Sequence, residues 1–317
     1  MRRRTATAPT ALVVAAVVAA LAAGCSGAEA ESGSTRPAPS TTATPARVGP
    51  VRDVRRVGPD DGGPLGAIDR DAGVSARLRD GSTVWFFGDT AARRPDGSLA
   101  YFVIGTAAWA RPDSPTRTVD APSAVRPGEP RPFVASQDGF APCPAEAPVG
   151  GVWPLAAVTD QVGPRDRVVL WMGNICLSDA GNAVSRGISV GEWWYDPARP
   201  PVDGAIDVTV LEPDLFPDGL LGNAATRGPD GTVYVYGCGT TPATGPPDRA
   251  VPCHAARVPL DAVARRGAYE MWDGTTWTAG ARPAPMEMSP AADGPSNPPG
   301  PFAVTWDATR RRSRDRL

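Results

Sequence analysis

Between Asp71 and Thr90 the chain sets two short runs of strand-forming residues around Arg79-Asp80-Gly81. The pattern predicts an antiparallel hairpin, with Gly81 supplying the positive φ that a three-residue loop needs. Closing that loop between Leu78 and Ser82 places Val74 opposite Phe86 and Asp71 opposite Asp89. Directly opposed residues have Cβ atoms roughly 4.5–5.5 Å apart, so two carboxylates meet at the open end of the hairpin. Adjacent carboxylates repel, and one of the two pKa values tends to rise.

The same pattern returns. Gly222 to Gly237 aligns with Gly73 to Gly88 without a gap, each copy carrying Asp-Gly at the turn, then Val, aromatic, apolar, aromatic and a closing Gly. A looser copy runs from Gly151 to Val158, turns at Gly163-Pro-Arg-Asp and continues as Val168 to Gly173. A fourth begins at Pro301-Phe-Ala-Val-Thr-Trp306. Sheets that are hydrophobic on both faces bury themselves by stacking on one another, and the repeat predicts an all-β β-propeller. One short turn or helix is expected at Pro259 to Arg266. The remaining ordered pieces read as strands between Pro- and Gly-rich loops.

The first fifty residues have a different composition. Arg2-Arg3-Arg4 precede an apolar run from Ala11 to Ala23 that ends Leu21-Ala-Ala-Gly-Cys25. This is a secretory signal, too short to span a membrane. Its end resembles the bacterial lipobox, although Leu21 stands one place further from the cysteine than is usual. That resemblance implies residues 1–24 as signal peptide, lipidation of Cys25, and anchoring to the outer face of the cytoplasmic membrane. An ordinary secreted protein is the alternative. Residues 25–50, rich in Pro, Ser, Thr and Ala, read as a tether that cannot bury enough surface to order itself. Residues 51–317 then form one propeller domain.

Charge and cysteine content narrow the chemistry. All 32 basic residues are Arg, and the net charge of −2 gives no electrostatic case for nucleic acid. Cys143, Cys176, Cys238 and Cys253 are an even set in an exported chain. Proximity favours Cys143–Cys176 and Cys238–Cys253 among the three possible connectivities. With no C-x-x-C pair and a single histidine, His254, a metal site is disfavoured and no cofactor is implied. The lone His254 also leaves little room for a Ser-His or Cys-His mechanism. Carboxylates are therefore the expected catalytic groups, which points to glycosyl chemistry.

Four strings carry a family resemblance: Asp71-x-Gly73, Trp85-Phe-Phe-Gly-Asp-Thr90, Val152-Trp-Pro-Leu155 and Ala268-Tyr-Glu-Met-Trp-Asp-Gly-Thr-Thr-Trp277. Together they resemble exported bacterial five-bladed propellers of a domain long labelled as of unknown function and similar to that of endo-D-arabinanases. The resemblance spans Asp71 to about Trp306. It implies a first-blade acid at Asp71 facing a central pocket, with Asp89 beside it, acting on an arabinan-type or other cell-wall polysaccharide. Trp109 and Trp153 are candidate sugar platforms. Asn174, which follows Gly173 as Asp89 follows Gly88, is counted with them as substrate-binding. Glu192 and Glu212 are candidate partner acids.

The C-terminal residues set a further expectation. After Trp306 the sequence turns Arg-rich where a core strand would alternate, so a propeller of about three blades and a fragment, cut short in the fourth, is expected. Such a chain is expected to be a monomer that either cleaves its polysaccharide or, in the alternative, holds it as a non-catalytic binding protein or an inactive gene product.

Overall fold

The computed structural model describes residues 68–287 apart from 116, 137–138 and 239–251. The expectations for Cys25, the tether and the strand starting at Pro301 lie outside the described residues. The described chain is all-β. β1 (Asp69–Arg77), β2 (Thr83–Arg93), β3 (Leu99–Ala110) and β4 (Thr118–Asp120) make the first antiparallel sheet in sequence order. β5 (Val149–Val162), β6 (Arg165–Leu177), β7 (Ala183–Tyr195) and β8 (Thr209–Phe216) make the second.

The third sheet begins with β9 (Ala224–Arg227), β10 (Thr232–Cys238) and β11 (Pro252–Pro259). It continues with β12 (Glu270–Trp272) and β13 (Trp277–Ala279), and β14 (Met286–Glu287) also pairs with β11. Between β11 and β12 lie two short 3-10 turns, Leu260–Ala262 and Arg266–Ala268, where the sequence suggested a turn or helix. Three sheets are thus formed by the described residues, and none of them closes on itself.

The hairpin registers follow from local turn chemistry. In the first, Leu78 N–H donates to Ser82 O at 2.9 Å and Gly81, at φ 85°, donates back to Leu78 O. The Gly222–Gly237 copy repeats this at Gly228, Thr232 and Gly231, with Gly231 at φ 83° and the turn one residue nearer its closing Gly than in the first hairpin. Only glycine takes that conformation without steric cost, so both turns carry it at the same place. The β5–β6 turn is tighter than expected from sequence, with Gly163-Pro164 alone separating the strands.

Strand alternation explains why three sheets stack. On β6, Val168, Leu170 and Met172 join Val84, Phe86 and Trp109 of the first sheet in one core. Val169 and Trp171 join Val233, Val235 and Val258 of the third in another. All five central residues of β6 are fully buried, since successive side chains point to opposite faces. Each fully buried side chain of this size contributes roughly 1.5–3 kcal/mol. The first strand of each sheet is an edge strand, and β1 lies against β5 and β5 against β9.

Several contacts pin the first sheet to the second. The β1–β2 turn offers Arg79, whose backbone N–H and Nε both donate to the buried Asp166 at 2.7 Å. Its guanidinium also reaches the carbonyls of Gly163 and Arg165. Further along, Ile104 closes on Gly151, where a Cβ would stand only 2.5 Å from Ile104 Cγ2.

Candidate functional site

Asp71 and Asp89 are directly paired across β1 and β2, in the register expected from the hairpin, with Val74 opposite Phe86. Asp71 is exposed and Asp89 half-buried. Ala72 takes φ 39°, an uncommon conformation for a residue with a side chain, and donates its N–H to Asp71 Oδ1 at 2.7 Å. The strained residue thereby fixes the carboxylate beside it.

The second sheet completes the pair's surroundings. Trp153, on β5, donates its indole N–H to Asp89 Oδ1 at 2.9 Å. Gly88 makes room for that ring, because a Cβ there would meet Trp153 Cδ1 at 3.2 Å. Burial pushes the Asp89 carboxyl up from its ordinary value. The Trp153 hydrogen bond opposes the rise, and the charge of Asp71 adds to it. A carboxyl with a raised pKa beside one that is exposed is the asymmetry that acid and base roles require.

Both aspartates open into a cleft of about 990 Å³ between the first two sheets. Beyond the carboxylates and Trp153, its walls are formed by Phe102 and Ile104 of β3, Val149 of β5, the Ser178–Asp179 turn and the Ser123–Glu129 loop. The neighbouring Arg70 does not serve this site. Its guanidinium forks onto the buried Asp120 at 2.7 and 2.8 Å and lies 4.0 Å from the centre of the Phe87 ring.

Several sequence expectations need correction. Trp109 is 3% exposed within the core shared by the first two sheets, so it has no face to offer a sugar. Asn174, at 6% exposure, is a cross-link: its Nδ2 donates to Pro213 O at 2.8 Å and its Oδ1 accepts from Ser189 Oγ at 2.7 Å. With both ends of the amide engaged, it lies outside the cleft lining. Trp153 does line the cleft, but its polar edge is committed to Asp89. Glu192 is held by Arg167 at 2.5 Å and by Trp194, and Glu212 accepts from the backbone of Asp214, so neither joins the pair.

Cys143–Cys176 and Cys238–Cys253 are disulfide-bonded as proximity suggested. They fit an extracellular or secreted protein. No helix among the described residues is long and apolar enough to cross a membrane. No group of three or more His, Cys, Asp or Glu side chains among them is placed to hold a metal ion. His254 stands in β11 opposite Gly237, not in a loop, with Nδ1 3.3 Å from Ala284 O.

The sequence reading missed Phe102 and Ile104, although a signal was present. Arg94-Pro-Asp-Gly-Ser98 is another Asp-Gly turn, closed by Arg94 N–H to Ser98 O at 2.8 Å with Gly97 at φ 83°. Reading it as a hairpin loop would have put β3 beside β2, and a bulge between Ala92 and Arg93 then shifts the register by one residue to set Ile104 opposite Asp89.

No family model matches the chain, and no curated protein matches it. Among solved structures it is similar to a "putative hydrolase" from Bacteroides ovatus, at TM-score 0.45 and 17% identity over 67% of this chain and 54% of that one. It is also similar to a protein solved as an RGII complex, at TM-score 0.33 and 13% identity over 68% of this chain and 60% of the other. The chain spans less than two thirds of the length of either.

Proposed function

We propose that this chain is an exported, lipid-anchored glycoside hydrolase of the propeller type, in which Asp71 and Asp89 cleave an arabinan-type furanoside polymer or another cell-wall polysaccharide. The observation that carries the reading is the Asp71–Asp89 pair at the mouth of the cleft, one exposed and one half-buried with its pKa raised. Asp89 is the acid that protonates the departing oxygen, and Asp71 the base or nucleophile on the other side of the bond. Stacked sheets whose first strands adjoin support the propeller type of architecture that the family resemblance implies. Residues 1–24 as signal peptide, 25–50 as tether and Cys25 as the lipidated residue belong to the same proposal.

Asp71→Asn tests it. Turnover of debranched arabinan, read as new reducing ends, is expected to fall by orders of magnitude while the circular dichroism and thermal midpoint stay in place. Unchanged turnover would remove Asp71 from the mechanism.

A second reading is favoured by one observation: the candidate partner acids Glu192 and Glu212 are tied down elsewhere. A non-catalytic, surface-tethered glycan-binding protein would then use the same cleft. Binding to a cell-wall glycan panel without release of products favours that reading, and release of reducing ends rejects it.

A further inference from the structure

Beyond the aspartates the cleft wall combines a group of exposed apolar side chains with polar ones from the Ser123–Glu129 loop and the Ser178–Asp179 turn. Of the seven large apolar side chains exposed among the described residues, four line this one cavity: Leu99, Phe102, Val125 and Val149. Singly exposed apolar residues are ordinary, but a cluster of them in one concave site marks a binding surface.

Their positions relative to the two carboxylates are ordered by the register. Asp71, Asp89 and Ile104 form one row across β1, β2 and β3, and Asp69, Ala91 and Phe102 form the next row on the same face. Phe102 therefore lies two residues along the sheet from the Asp89 row, a distance of roughly 7 Å. Crossing the sheet, the order is Asp71, then Asp89, then the apolar wall. On the facing sheet Val149 pairs with Leu177, which also lines the cleft. Val125 is presented by a loop that ties itself down. Ser123 N–H donates to Glu129 O at 2.7 Å, Glu129 N–H to Arg126 O at 3.1 Å and Arg126 N–H to Ser123 Oγ at 3.1 Å. At 86% exposure Val125 has no packing role that would explain it.

We propose that, besides a polysaccharide, this cleft accepts glycosides whose leaving group is apolar, an alkyl or aryl aglycone seated between Phe102, Val125 and Val149. The inference rests on the reading of Asp89 as the group that protonates the leaving oxygen, since that carboxyl is the one next to the apolar wall. In the reaction the glycosidic C–O bond breaks and the Asp89 proton goes to the departing oxygen. Water supplies the hydroxyl at the sugar carbon and gives its other proton to the carboxylate pair, which restores the proton that Asp89 lost. The released alcohol carries the apolar group away along β3.

The test separates binding from turnover. Methyl and hexyl 1-thio-arabinofuranosides, which resist cleavage, are titrated calorimetrically into the full-length protein below the micellar range. Burying about two of the added methylenes gives roughly tenfold tighter binding of the hexyl ligand. In the Phe102→Ser, Val125→Ser double variant the hexyl-to-methyl ratio is expected to fall towards one. Equal affinity for the two ligands, no binding of either, or a hexyl preference that survives the double variant each overturns the proposal. The O-linked hexyl glycoside assayed in parallel keeps the two readings apart. A hexyl preference in binding without any hydrolysis removes the catalytic role of the aspartates and leaves the apolar subsite standing.

Discussion

Arg79 and Asp166 hold the first two sheets together opposite the cleft, and cutting that contact from either side should not cost the same. Asp166 is a fully buried carboxylate, while the Arg79 side chain is 23% exposed. Arg79→Ala leaves Asp166 with the backbone N–H of residue 79 as its remaining partner from that turn, inside the protein and still charged. Removing one partner of a buried ion pair costs about 3–5 kcal/mol. Asp166→Asn keeps an acceptor for the turn and leaves a guanidinium that water and the Gly163 and Arg165 carbonyls can serve. Its cost is that of weakening charge-assisted hydrogen bonds, about 1–2 kcal/mol. With a urea m-value of about 3 kcal/mol/M for a domain of this size, Arg79→Ala lowers the unfolding midpoint by about 1–1.7 M and Asp166→Asn by less than about 0.7 M. The double variant is expected to be more stable than Arg79→Ala alone, because no buried charge is orphaned. An Asp166→Asn variant as destabilised as Arg79→Ala, or strictly additive effects, would refute the reasoning.

Two further predictions concern Asp89. Trp153→Phe removes the donor that favours the ionised carboxylate, so the Asp89 pKa rises further. The alkaline limb of the kcat profile should then move to higher pH, and an unmoved limb would disconnect the indole from the acid. Asp89→Asn addresses stability. A carboxyl whose folded pKa lies above its unfolded value adds stability that is present below the unfolded pKa and lost as pH rises through the folded one. At neutral pH the ionised Asp89 is thus a liability, and the asparagine variant is expected to unfold at a urea concentration at least as high as the parent. That margin shrinks as pH falls and the parent carboxyl takes up its proton. A variant clearly less stable at pH 7 would contradict the pKa direction.

The parts legible in the sequence were those fixed over a few residues. The Asp71–Asp89 pairing needed only the turn at Arg79-Asp80-Gly81, and the Cys238–Cys253 disulfide joins directly opposed residues of β10 and β11. What failed was set from far away. Trp109, in a run of alanines at the end of β3, looked free to meet a ligand, but residues of β6 more than fifty positions later cover it. Asn174 matched Asp89 by position in the repeat, yet its partners Ser189 and Pro213 come from β7 and β8. Trp153 was identified as a site residue for its flat face, and its function in the structure comes from the edge. Repeat position locates a residue on a strand and says nothing of which neighbouring sheet supplies its partners.

That distinction bears on why the proposed chemistry is assigned to the first sheet. The second strand of each sheet passes through a glycine, Gly88, Gly173 or Gly237, and the residue after it is Asp89, Asn174 or Cys238. In the second sheet that residue is used to tie β6 to β7 and β8 through one hydrogen bond at each end of its amide. In the third it is a disulfide to the paired strand. Both positions are thus committed to structural bonds within their own sheets. In the first sheet the same position carries a carboxylate that receives one indole hydrogen bond on Oδ1 and faces a second carboxylate across the pair. Two like charges held side by side oppose folding, and nothing in the hairpin needs them, since the turn alone fixes the register. The backbone strain at Ala72 adds to that cost at the same spot. Elsewhere in the repeat the position does structural work; here the structure carries an electrostatic cost, which is the pattern of a site kept for its chemistry.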